Sequence, residues 1–142
     1  MSQFVRVNVE ALDDVTPAIF NQMIKNLKVG NGTDVYALDT TRKTVVQPKA
    51  SGSRKSDEVD AALTRNGKVL PIGFKFIKEK GKTKLNIRGD FWNTGFEQNT
   101  FTEMISQQYM VTKIKHDAKI NGNTIVKQEI KQNGDIVVRI AV

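Results

Sequence analysis

The stretch from Val69 to Phe91 constrains this chain most. Leu70, Ile72, Phe74 and Phe76 recur at every second position, and Leu85, Ile87 and Phe91 answer them after the turn Glu79-Lys80-Gly81. Successive side chains of a strand point to opposite faces, so the pattern predicts an antiparallel hairpin, Val69–Lys78 with Lys82–Phe91, that has one apolar face. Gly73 and Gly89 interrupt the two strands and each predicts a bulge or a close backbone approach. A hairpin greasy on one side does not stand alone in water, so another layer has to cover it.

Two segments have the pattern to supply that layer. Thr100-Phe101-Thr102-Glu103 has capping-box spacing, and Phe101, Met104, Ile105, Tyr109, Val111, Ile114 and Ala118 form a stripe running to about Lys119. Earlier, Thr16-Pro17 signals a helix start, and Ile19, Phe20, Met23, Ile24 and Leu27 fall at three-and-four spacing before Val29-Gly30-Asn31-Gly32 ends the run. Val5, Val7 and Val9 read as a strand before this helix. Asp34–Leu38 and Thr44–Gln47 read as short strands around the polar turn 39–43. Residues 48–55 have linker composition and are expected to be mobile. Residues 57–65 read as a short helix capped by Ser56, with acids in its first turn, Val59, Ala62 and Leu63 on its apolar edge, and Asn66-Gly67 as its stop. Ile125–Lys131 and Asp135–Val142 close the chain as a hairpin about Asn133-Gly134, with Ile136, Val138 and Ile140 inward. The order predicts a single α+β domain over 1–142. It would be a two-layer sandwich with a mostly antiparallel sheet and both main helices on one face, ferredoxin-like with extra strands.

Composition narrows the function classes. With no cysteine, a disulfide framework, a thiolate zinc site and a cysteine nucleophile are excluded. No apolar run approaches the roughly 20 residues needed to span a bilayer. The start, Met1-Ser2-Gln3-Phe4, lacks a leader pattern, so a soluble, cytoplasmic protein is expected. Net charge is +7 and unevenly spread: Arg42 to Arg88 holds thirteen Lys or Arg against four acids, a local +9, while the two ends sum to −2. A segregated positive surface steers polyanions; a lysine-rich solvated surface is the plainer reading.

Several residues carry a family resemblance. Ser2, Phe4, Ile72-Gly73-Phe74, Asp90-Phe91-Trp92, Phe101, Ile105-Ser106-Gln107, Tyr109 and Asn133-Gly134-Asp135 stand in order and at similar spacing to a conserved domain of unknown function. The chain resembles that domain, typified by the hypothetical chloroplast open reading frame thirty-five proteins of cyanobacteria and algal plastids, with bacterial and phage members. The likeness is best over 68–142. It implies no catalytic residue, because no activity is established for the family. It does imply an accessory role beside a protein partner, an AAA-type ATPase being the candidate. Gln3 departs from the family's usual histidine, and Asn93 from its common glycine.

No catalytic constellation is visible, and no enzyme activity, metal or cofactor is expected. His116, the only histidine, sits beside Asp117 near a helix end, where its charge suits the negative terminus. Asp57, Glu58 and Asp60 are read as acids of a helix first turn rather than metal ligands. Asp90, Trp92 and Thr100 form a candidate pocket for a small anionic ligand at the strand exit, with Asp90 as a turn cap being the plainer alternative. The partner- or polyanion-binding surface is assigned to Arg54, Lys55, Lys75, Lys78, Lys80, Lys82, Lys84 and Arg88. It predicts a non-enzymatic binding or adaptor protein that meets an acidic protein, with nucleic acid as the alternative ligand.

Overall fold

A computed structural model describes residues 3–48, 54–122, 124–130 and 136–141. The elements are β1 (Phe4–Asn8), α1 (Pro17–Lys25), β2 (Tyr36–Asp39), β3 (Thr44–Val46), β4 (Ser56–Glu58), β5 (Ala61–Arg65), β6 (Lys68–Glu79), β7 (Lys82–Asp90), α2 (Gln98–Ile120), β8 (Thr124–Ile130) and β9 (Ile136–Ala141). Five strands form one sheet in the order β1-β7-β6-β5-β2, every neighbouring pair antiparallel. Strands β3–β4 and β8–β9 form two-stranded sheets, and the latter lies against α2. The α+β class is as the pattern predicts. The ferredoxin-like detail finds no support in this order, because split βαβ units need parallel strands and β1 here stands at an edge beside β7.

The alternation in β6 and β7 holds. Phe74 pairs with Ile87 and Phe76 with Leu85, and their common face is covered by both helices. Phe20 of α1 meets Phe74 edge-on at 4.8 Å between ring centres, while Phe101 of α2 stacks on Phe74 at 6.4 Å. Burying a ring of this size contributes about 1.5–3 kcal/mol, so these three carry much of the layer contact. The stripe of α1 is buried as expected (Ile19, Phe20, Met23, Ile24), although the helix closes at Lys25, before the glycines. Its Thr16 takes the N-cap position without a side-chain cap bond; the Thr16 N–H donates instead to the Tyr109 hydroxyl at 2.8 Å, which ties the helix start to α2.

Two expectations need correction. Residues 57–65 are not a helix: Ser56–Glu58 and Ala61–Arg65 are the strands β4 and β5. Asn66 (φ 53°) and Gly67 (φ 80°) form a tight hairpin turn into β6, since two successive left-handed residues reverse a chain with the twist that antiparallel strands need. The alternation of β5 is hidden because both its faces are covered, Leu63 by the main core and Ala62 by β3–β4. The capping box at Thr100 is also displaced. Helix α2 starts at Gln98, and Glu97 is the cap, its carboxylate accepting from the Asn99 and Thr100 N–H groups and the Thr100 hydroxyl. The short strands on either side of the polar turn are present as expected, as β2 (Tyr36–Asp39) and β3 (Thr44–Val46), and they join different sheets: β2 pairs with β5 and β3 with β4. Most of the loop expected to be mobile, 49–53, lies outside the described residues, as do the Asn133-Gly134 turn and the side chains of Ile136, Val138 and Ile140.

Candidate binding surface

The face of the sheet opposite the helices is not open. The β3–β4 hairpin crosses it, with Val45 and Val59 seated above Gly73. A Cβ at Gly73 would come within 2.6 Å of Val59 Cγ1 and 3.0 Å of Val45 Cγ1, so the close approach needs glycine. Gly89 (φ 144°) pairs with Ile72, and a Cβ there would run into the Pro71 carbonyl oxygen. Both interruptions in the strand pattern are therefore sites of close backbone approach.

Beside that seat lies a polar cluster that charge counting missed. Arg6 and Arg88 are directly opposed across β1 and β7, an arrangement that repels unless an anion bridges it. Asp57 of β4 is that anion. It accepts from Arg6 Nε at 2.6 Å and from a second Arg6 nitrogen at 2.9 Å, and it lies 3.3 Å from Arg88. Arg88 also donates to the Glu58 carbonyl (2.8 Å) and to Asn86 Oδ1 (2.7 Å), and Asn86 donates to Asn8 Oδ1 (2.8 Å). The hydrogen bond from Arg6 is the first cause that holds the Asp57 carboxyl below its ordinary range. Arg88 is 8% exposed and so is a clasp between layers, not a surface cation.

The remaining predicted cations separate into groups. Lys82 and Lys84 both bind Asp13, whose carboxyl is lowered to about 2, first by the hydrogen bond from Lys82 and then by that from Lys84. Lys75 lies 3.4 Å from Asp60, which also accepts from the Phe76 N–H. Lys78 and Lys80 are exposed at the hairpin tip with no side-chain partner among the described residues. Arg54 and Lys55 belong to the other hairpin, where the Lys55 carbonyl accepts from the Gln47 N–H and the Lys55 N–H donates to the Gln47 side-chain oxygen. That hairpin crosses β6 at Gly73, seven residues from Lys80, which is roughly 23 Å along a strand. The eight side chains therefore do not form one basic face.

The acids Asp57 and Asp60 are used in these pairs rather than in a helix first turn. Among the described residues no group of three or more histidines or acids is placed to hold a metal ion. At the strand exit, Asp90 is fully buried and its carboxylate accepts from the Trp92 N–H at 2.9 Å. Trp92 is exposed, and the Thr100 hydroxyl donates to Glu97 at 2.9 Å. His116 stands near the end of α2 as expected, with Nδ1 3.6 Å from Asp117, too long for a hydrogen bond.

Among the described residues, no helix is long and apolar enough to cross a membrane. Compared with known proteins, the chain matches no family model, no curated protein and no solved structure.

Proposed function

We propose that this protein is a small non-enzymatic binding or adaptor protein that engages an acidic partner protein through the tip of the β6–β7 hairpin. The observation that carries this reading is the state of the lysines there. Lys78 and Lys80 are exposed without side-chain partners among the described residues, on a two-residue turn (Lys80 φ 52°, Gly81 φ 78°) that fixes their spacing. Lys82, whose ammonium is shared with Asp13, stands beside them with about half of its side chain exposed. Glu79 sits between the lysines, so a partner with several carboxylates is favoured over one with a single acid. The family resemblance, with its implied accessory role beside an AAA-type ATPase, points the same way.

Nucleic acid is the weaker reading. Each phosphate neutralised contributes a slope of only about 0.9 in log affinity against log salt, and two or three free cations give weak, shallow binding. Arg54 and Lys55, on a separate hairpin, do not extend that run.

The test is capture from native lysate at graded salt by the wild type and by K78E/K80E. The reading expects a stoichiometric acidic protein that is lost with charge reversal and with added salt. No stoichiometric partner, or capture indifferent to K78E/K80E, would overturn it. A high 260-to-280 absorbance ratio in the purified protein, abolished by the same variant, would transfer the surface to nucleic acid.

A further inference from the structure

A second region gathers positive charge, and no sequence pattern announced it. Between α1 and the last turns of α2 lies a groove of about 560 Å³, within the size range of small-molecule sites. Gln22 of α1 and Asn26, the C-cap of that helix, line it one turn apart. From α2 come Thr112, Lys115, His116 and Lys119, with Ile120, 69% exposed, at the rim. No carboxylate lines it. The nearest acid in sequence, Asp117, is occupied by Lys113 at 2.6 Å, whereas Lys115 and Lys119 have no side-chain partner among the described residues.

Two helix C-termini meet here, and each carries the equivalent of about −0.5 charge, which disfavours an anion. Roughly one positive charge offsets both ends. Lys115 and Lys119 supply two, so the groove keeps a net positive potential before His116 is counted. The imidazole adds an unusual feature. Its Nδ1 is enclosed with no hydrogen-bond partner, held only by the field of Asp117, which leaves Nε2 as the ring atom available to a ligand.

We infer that the α1–α2 groove is a binding site for a small phosphate-bearing molecule, its phosphate held by Lys115, Lys119 and His116. The amides of Gln22 and Asn26 and the exposed Ile120 offer the hydrogen bonds and the apolar contact that an organic portion would use.

His116 is the chain's only histidine, so its ring resonances report on this site alone. The experiment titrates the full chain with inorganic pyrophosphate and, separately, with adenosine triphosphate at constant ionic strength. The histidine ring signals are followed by NMR in the wild type and in K115Q/K119Q. A saturable shift in the wild type, weakened about tenfold or more in the variant, is expected from the loss of two charge-assisted bonds. Comparable affinity for both probes would mean that the inorganic phosphates suffice; tighter binding of the nucleotide would mean that the organic portion is read as well. No saturable shift with either probe overturns the inference, as does a shift unchanged in K115Q/K119Q or reproduced by sodium chloride alone. Because Lys115 and Lys119 stand on α2, this result is independent of the hairpin-tip test with K78E/K80E.

Discussion

The two faces of the five-stranded sheet are held by different forces. On the helix side, Phe20, Phe74 and Phe101 meet ring to ring and are almost wholly enclosed. On the other side, three small apolar residues, Val45, Val59 and Ala62, share the work with one carboxylate set between two arginines. The first face is stabilised by area and tolerates ionic change; the second depends on geometry and protonation. The difference teaches why the cations of the middle third form no single surface: part of that charge is consumed in joining layers.

The largest effect should come from the aromatic face. Phe74→Ala is expected to cost about 3–5 kcal/mol, since the ring is fully buried between two helices and leaves a cavity. Chemical denaturation measures it, and a loss below about 1 kcal/mol would mean that the helices do not depend on this face.

The clasp ranks next. Asp57→Ala should cost about 3 kcal/mol, because Arg88 is left buried with its charge unmatched. Replacing both partners, Asp57→Leu with Arg88→Met, should cost less than Asp57→Ala alone, since no ion is then stranded. Equal losses in the single and double variants would show that Asp57 acts through the exposed Arg6 instead.

Acid should reveal the smallest effect and separate the faces most cleanly. The Asp57 and Asp13 carboxyls are both lowered in the fold, so the stability they contribute is fully present above their unfolded values near 4. It is lost as pH falls through the folded values, about 2 for Asp13. Amide protection in β3–β4 should therefore weaken as pH falls below about 4, ahead of protection in β6. Simultaneous loss of protection across both would contradict a layer held by charge.

What the sequence made legible follows the same division. Apolar periodicity exposed β6, β7, α1 and α2, because each carries one apolar face set off by polar or small residues, even where, as at Asn86 and Arg88, those polar residues are themselves covered. It misread β5 because Ala61, Ala62 and Leu63 are all buried, which erases the alternation, while Ser56 and the acids after it imitate a helix start. The clasp was invisible for another reason. Asp57 and Arg88 lie 31 residues apart, and only the strand register brings them together. The Lys82 and Lys84 pairs with Asp13 span a still longer separation, so a count of charges overstated how many cations remain free. The helical groove shared this fate, since its lining comes from two segments with no common motif.

Gly73 has a further consequence. Where the small hairpin rests on a bare main chain, the two layers share one contour, and neither can be reshaped without the other. Divergent versions of this architecture should accordingly change Val45, Val59 and the residue at 73 together, as one inherited unit.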